Sequence, residues 1–337
     1  MKNWIFILLL LVAFNLHGKK RDSTLQKMQF DTSYITDLTQ KLTLKTYLVD
    51  KSNTFTVSHN DNDGNGFQTE YKPNDGSSIG FGFNYKWLGF SMAFIPLGRR
   101  DFSTHGRTQR LDLQGNIYTR KFGFDLRFQY YKGFYIDNPQ NLDENWVSDS
   151  GVPTRFDIRT ANLGANMFYV FNHQKFSFRN SFVNNEWQTK SSGSFYAGTA
   201  FSFYSIAGDS AIAPTELVDS LVPEDFFMRA NILTLGGFGG YAYNFIIQRK
   251  FFVSLAMAPG LSTLRLREID AEGEEFANST KLAFRFNTRI GMGYNSERFF
   301  SGISYFNDFL SFNYNQNESS FSFASGAFRL YVGYRFL

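Results

Sequence analysis

The stretch KLAFRFNTRIGMGY, residues 281–294, decides the fold. Apart from Thr288, one parity of this stretch is apolar: Leu282, Phe284, Phe286, Ile290, Met292 and Tyr294. The other parity is small, polar or cationic: Lys281, Ala283, Arg285, Asn287, Arg289, Gly291 and Gly293. In a β-strand successive side chains point to opposite faces, so the stretch predicts a long strand with one apolar and one polar face.

The same alternation recurs along most of the chain, which predicts an all-β protein. It is clear in residues 122–131 and 328–336. Further segments with this pattern are residues 79–85, 88–94, 110–118, 176–182, 194–203, 251–257 and 299–309.

Two architectures produce such alternation: a soluble sandwich of two packed sheets and a transmembrane barrel. Here the segments often reach about ten residues, the length of a spanning strand. The apolar face is rich in aromatic residues, and the opposite face mixes Gly, Ser and Asn with isolated arginines. We therefore predict an antiparallel transmembrane β-barrel of about 12 strands, within a range of roughly 10 to 16. A soluble periplasmic β-sandwich that binds a ligand is the alternative.

The first 18 residues have the features of a secretory signal peptide. Lys2 precedes an apolar run, residues 4–14, that is too short to span a bilayer comfortably. We predict three parts: residues 1–18 as the signal peptide, 19–77 as a periplasmic lead-in or extra strands, and 78–337 as the barrel. The predicted location is the cell outer membrane.

The composition limits the classes of function. The chain has no Cys, which excludes disulfides, thiolate metal sites and a catalytic thiol. The formal net charge of +4 comes from scattered basic residues, so we predict no nucleic-acid partner. The expected partners are outer-membrane lipid and lipopolysaccharide, together with the barrel-assembly machinery.

By parity, a set of charged residues faces the predicted lumen, opposite the apolar wall. Buried guanidinium groups must be paired or hydrated, so their arrangement decides whether a barrel is filled or conducts. An anion-selective pore is one interpretation, and an Arg-Asp-Tyr network that fills a small barrel is the other. The predicted lumen-lining residues are Arg110, Asp112, Arg120, Asp125, Arg127, Arg179, Arg285, Arg289, Arg329 and Arg335.

The segment HNDNDG, residues 59–64, approaches the spacing of a calcium-binding loop. Asp61, Asp63 and Glu70 would supply oxygen ligands, but His59 stands where the first oxygen is required. A polar hairpin turn explains the same residues. Calcium at Asp61, Asp63 and Glu70 is therefore a weak candidate, and no other cofactor is predicted.

The best catalytic pair in the sequence is His105 with Asp101, in a segment where such residues are common. We therefore predict that the protein is not an enzyme. A membrane-surface enzyme that modifies lipids is the alternative.

Four segments resemble a known family, the domain of unknown function 4421: residues 29–51, 71–90, 111–135 and 176–198. That family consists of secreted Bacteroidota proteins that are regarded as outer-membrane β-barrels. The resemblance implies the same fold and location and no catalytic residues. We predict an outer-membrane barrel of unknown specific role, either a small passive pore or a structural envelope protein.

Overall fold

The fold was analysed in a computed structural model. It describes residues 30–60, 66–85, 88–96, 102–141, 152–212, 227–269, 275–314 and 319–336. The predicted signal peptide, residues 1–18, lies outside these residues. The strands are β1 (Ile35–Asp37), β2 (Thr43–Asn60), β3 (Gly66–Lys72), β4 (Ser78–Tyr85), β5 (Leu88–Pro96), β6 (Gln109–Tyr118), β7 (Phe122–Ile136), β8 (Thr154–Val170), β9 (Glu186–Gln188), β10 (Ser192–Ala207), β11 (Arg229–Ile247), β12 (Phe251–Ile269), β13 (Glu275–Asn295), β14 (Phe299–Tyr314) and β15 (Ser319–Arg335).

The main sheet closes on itself as an antiparallel barrel. Hydrogen bonding runs in the order β15-β14-β13-β12-β11-β10-β8-β7-β3-β2, and β15 pairs with β2 to complete a ring of ten strands. The prediction of an antiparallel β-barrel is therefore confirmed. The alternative of two packed sheets is wrong, because one continuous sheet forms the wall.

Three further strands continue this sheet toward the end of the barrel where β2 begins, in the part of the wall between β2 and β7 that β3 does not reach. Strand β4 pairs with β2, β5 pairs with β4, and β6 pairs with β7. Because β2 and β3 belong to the ring, the barrel includes residues before position 78, within the segment 19–77 that was considered for extra strands. Strands β1 and β9 form a separate two-stranded sheet.

The two ends of the barrel differ in the length of their connections. Short turns such as residues 248–250 and 296–298 define the turn end. The strands on either side of the longer connections 137–153, 208–228 and 270–274 meet those connections at the other end of the barrel, which we call the loop end. The described residues contain no helix that is long and apolar enough to cross a membrane.

One predicted strand is wrong. Residues 176–182 contain a short helix, α1 (Phe178–Phe182), which lies in the connection between β8 and β10. Beyond position 78, two strands of the ring are absent from the predicted segments: β8, which pairs with β7 and β10, and β11, which pairs with β10 and β12. Adding β8 places the long connection 137–153 at the loop end with the other long connections.

The outward face of β12 carries an apolar band with a sharp edge. Phe251, Leu255, Met257 and Leu261 are each more than a third exposed. From Phe251 to Leu261 the strand rises about 3.3 Å per residue, and at a tilt of about 40° this gives a height of about 25 Å. That height matches the apolar band of transmembrane barrels. Beyond the band, toward the loop end, the outward residues are polar: Thr263, Arg265 and Arg267.

The band predicts a depth-dependent cost for a charge on the outer face. Met257→Arg places a cation in the middle of the band and should lower the free energy of unfolding by about 2–4 kcal/mol. Thr263→Arg, on the same face of the same strand but outside the band, should cost about 1 kcal/mol or less. Urea unfolding in lipid vesicles measures both. Equal costs for the two variants would contradict the assignment of the band.

Candidate functional site: the closed lumen

Asp308 is held between two arginines inside the barrel. Arg127 on β7 donates to its carboxylate, and Nη1 of Arg285 on β13 lies 3.1 Å from Asp308 Oδ2. Arg285 Nη2 also donates to Ser202 Oγ at 3.3 Å and to Thr234 Oγ1 at 3.2 Å. Asp308 lies on β14, and in the ring of ten strands β7 is four strands away from β14 and five away from β13. The Arg127–Asp308 pair therefore crosses the lumen.

A second bridge crosses the lumen closer to the turn end. Arg289 on β13 donates to Asp125 on β7 and to the hydroxyl of Tyr118 on β6. Tyr118 in turn donates to Asp125 at 2.7 Å. The Arg289 guanidinium also lies 5.3 Å from the Phe168 ring centroid, within cation–π range. In this Arg-Asp-Tyr cluster Tyr118 is buried, Asp125 and Arg289 are half-buried, and the three side chains pair with one another.

Two further ion pairs involve β6: Asp112 pairs with Lys51 of β2, and Arg110 pairs with Asp75 in the connection between β3 and β4. Lys51 Nζ lies 2.9 Å from Asp112 Oδ1, and Tyr131 donates to Asp112 at 2.6 Å. Arg110 Nη1 lies 2.5 Å from Asp75. Burying a charge is costly unless it is paired and hydrogen-bonded, which explains why each of these cations contacts a carboxylate.

The connection between β8 and β10, residues 171–191, folds into the barrel at the turn end, and we call it the plug segment. Ser177 caps helix α1 by accepting a hydrogen bond from the Asn180 backbone N–H. Strand β9 of the plug segment pairs with β1, from Ile35 opposite Gln188 to Asp37 opposite Glu186.

Inward-facing amides of the wall hold the plug segment in place. Asn244 Nδ2 on β11 donates to Gln188 Oε1 at 2.7 Å and to the Ser177 carbonyl at 3.0 Å. Asn295 Nδ2 on β13 donates to Asn180 Oδ1 at 2.9 Å. The sequence analysis missed these residues. The available signal was that Asn244 and Asn295 occupy alternate positions that face the lumen.

Glu186 is the charged centre of the plug segment. Its carboxylate accepts from Arg179 Nη1 at 2.7 Å and from Ser177 Oγ at 2.5 Å, and Arg120 Nη2 lies 3.0 Å away. Two of the predicted lumen residues, Arg120 and Arg179, thus meet at one carboxylate. The prediction placed Arg179 on a barrel strand, and this is wrong because Arg179 lies on helix α1.

The last two predicted lumen arginines lie on β15. Arg335 Nη2 donates to the Asn184 carbonyl at 2.7 Å and to Asn295 Oδ1 at 2.8 Å, so it joins the plug segment to the wall. Arg329 lies between the rings of Tyr47 and Phe306, at 5.9 and 5.7 Å from their centroids.

Exposed pairs add contacts at the turn end. Lys41 Nζ lies 2.8 Å from Glu297 Oε1, and this hydrogen bond lowers the pKa of the Glu297 carboxyl below its usual value. Hydrogen bonds from Ser33 lower the pKa of Asp31, whose backbone N–H donates to the Gln174 carbonyl of the plug segment. These contacts attach residues 30–42 to the plug segment and to the turn between β13 and β14.

The loop half of the lumen is filled by apolar side chains. Phe55 stacks on Tyr71 at 4.6 Å and contacts Phe134 edge-on at 5.3 Å. Ile212 and Phe227, from the connection 208–228, belong to the same buried cluster. Among the described residues, this cluster and the plug segment occupy the two halves of the lumen. Between them lie Arg127, Asp308, Arg285, Arg289, Asp125 and Arg329, which we call the charged layer.

A small cavity of about 60 Å³ remains in the charged layer. At about 10–15 Å³ for each water, it has room for about four to six water molecules. It is lined by Tyr118, Asp125, Arg127, Arg289, Asp308 and Arg329, with polar residues of β6 and Phe182 of helix α1.

The residues of the calcium hypothesis do not form a complete described site. Asp61 and Asp63 lie outside the described residues, and Glu70 on β3 contacts Lys72 Nζ at 3.4 Å. No group of three metal-binding side chains occurs in the part of the chain that the structure describes. Of the candidate catalytic pair, Asp101 is also outside it, and His105 packs edge-on against Tyr135 at 4.7 Å.

Residues 29–336 match the family described as a domain of unknown function (DUF4421). The chain belongs to this family. The match spans nearly all of the described barrel and confirms the resemblance found in the sequence. No curated protein matches the chain in sequence.

Several solved structures are similar to this chain at low identity. The outer membrane protease OmpT from Escherichia coli has 9% identity and a TM-score of 0.39, with 89% of this chain and 98% of that chain covered. The toluene transporter TodX from Pseudomonas putida has 9% identity, a TM-score of 0.24 and coverages of 88% and 90%. A FadL homologue from Pseudomonas aeruginosa has 11% identity, a TM-score of 0.26 and coverages of 88% and 91%.

One sequence-based prediction is corrected by this comparison. We predicted that the protein is not an enzyme, yet a protease is among the similar structures. The exclusion of an enzyme is therefore wrong. At 9% identity the likeness assigns no activity to this chain.

The absence of Cys from the chain permits a direct test of the plug segment, because a single introduced thiol is labelled without background. Ser181 is fully buried between the plug segment and the wall, whereas Ser296 lies in the turn between β13 and β14. In the folded protein a membrane-impermeant maleimide should label Ser296→Cys quickly and leave Ser181→Cys unmodified. After boiling in SDS both should react. Equal labelling in the folded state would mean that the plug segment leaves the lumen.

Proposed function

We propose that the protein is a structural protein of the cell outer membrane, a barrel whose lumen is closed in its resting state. The observation that carries this proposal is the plug segment, which inward side chains of β11, β13 and β15 hold by hydrogen bonds. A passive pore needs a continuous polar path. Such a path would be blocked by the plug segment, by the paired charges and by the apolar cluster.

The outer-membrane location is part of this proposal. It is supported by the closed ring of strands, the apolar band on the outer face and the predicted signal peptide. Outer-membrane lipid and lipopolysaccharide would then surround the wall, and the barrel-assembly machinery would insert it. Heat-modifiable gel migration of the protein in fractionated outer membranes tests the location. A soluble periplasmic protein without a migration shift would contradict it.

The closed lumen predicts electrical silence. Wild-type protein reconstituted in planar bilayers should produce no discrete conductance steps, because three layers of side chains fill the path. Flotation with lipid vesicles checks that the barrel has inserted. Regular anion-selective steps, reduced in selectivity by Arg289→Ala, would instead support the pore interpretation and overturn this proposal.

A further inference from the structure

Arg329 differs from the other cations of the charged layer. Among the described residues it has neither an ion pair nor a hydrogen bond, and its Nε is buried without a partner. Its contacts are the faces of two aromatic rings, Tyr47 and Phe306. The side chain is half-buried and lines the cavity, and a partly desolvated guanidinium without an ion pair favours a negatively charged ligand.

The cavity beside Arg329 has the composition of an anion site. Its lining contains Arg127, Arg289 and Arg329 against Asp125 and Asp308, so one positive charge is in excess. Arg285 also contacts Asp308 from outside the lining and adds a second positive charge. The Nδ2 atom of Asn287, also in the lining, is a further buried donor without a partner.

The cavity lies beside a discontinuity in the wall. Among the described residues, β6 pairs with β7 and β5 pairs with β4, but no hydrogen-bonded ladder joins β5 to β6. Gln114, Gly115 and Asn116 of β6 line the cavity, and a Cβ added at Gly115 would meet no atom within 4 Å. The outward residues of β6, such as Leu113 and Ile117, are exposed and apolar. At this unpaired edge, the same strand contributes both to the cavity lining and to the apolar outer face.

We propose that the cavity binds a phosphate-type oxyanion, with Arg329 as its main charged partner. Guanidinium groups bind phosphate through paired hydrogen bonds, and a tetrahedral oxyanion would fill a space of this size. Arg329 on β15 and the Asn287 amide on β13 supply donors without a partner, and the positive excess of the lining balances the charge of the ligand. The site lies between the plug segment and the apolar cluster, so it is compatible with a lumen that does not conduct.

Two sources provide this chemistry: free inorganic phosphate and the phosphate group of a lipid that enters between β5 and β6. Two measurements on the full-length protein in non-ionic detergent separate them. Calorimetric titration with inorganic phosphate detects the free anion. Phosphorus analysis after delipidation, with mass spectrometry, detects a retained phosphorylated lipid.

The variants are chosen to change charge and keep the fold. Arg329→Gln removes the unpaired cation, and Asn116→Asp adds a negative charge to the lining without removing a cation. Either should weaken phosphate binding about tenfold or more, or abolish lipid retention, because charge-assisted hydrogen bonds are lost or opposed. Arg298→Gln, at an exposed turn, is the matched control and should bind as the wild type does. Heat-modifiable migration confirms that each variant is folded.

The outcomes are distinct. Saturable phosphate binding that depends on Arg329 supports a free anion, and a lipid retained by the wild type but lost in Arg329→Gln supports the lipid source. A wild-type protein with neither property holds only water in the cavity, and that result overturns the proposal. Unchanged binding in folded Arg329→Gln also overturns it. None of these results depends on conductance, so this proposal and the closed barrel can fail separately.

Discussion

The two ion-paired bridges across the lumen are the interactions on which the rest of the structure depends. Arg127 on β7 reaches Asp308 on β14, and Arg289 on β13 reaches Asp125 on β7, so both pairs cross the ring. Such contacts require a narrow barrel, because one Arg and one Asp side chain must span its interior. In a wider ring these charges would be separated and would need water or other partners.

The plug segment follows from the same constraint. Strands β8 and β10 are neighbours and a tight hairpin could join them, but the chain instead inserts residues 171–191 into the lumen. This insertion supplies Glu186 to Arg120 and Arg179, and backbone carbonyls to Arg335. Polar groups that face inward at the turn end are thereby paired without opening the lumen to solvent.

Alternation predicted the barrel because lipid-facing and lumen-facing side chains differ in chemistry at every second position. The same rule failed at residues 176–182, where Phe176, Phe178 and Phe182 pack inside the barrel around a helix, although their spacing is that of a strand.

Parity assigned the ten candidate lumen residues to the inner face, and all ten are buried or half-buried. It could not predict that Asp308 pairs with Arg127, since partners across a lumen depend on ring size and strand register. The calcium hypothesis stays a prediction, because Asp61 and Asp63 lie outside the described residues.

The most direct test of the account is a double-mutant cycle between Arg127 and Asp308, measured by reversible urea unfolding in lipid vesicles. Arg127→Met, Asp308→Leu and the double variant give the coupling free energy. If the pair crosses the lumen as described, Arg127→Met leaves Asp308 paired with Arg285 alone, and Asp308→Leu leaves both arginines without this carboxylate. The coupling between Arg127 and Asp308 should then reach about 1–3 kcal/mol. Additive effects, with a coupling near zero, would contradict a narrow lumen closed by paired charges.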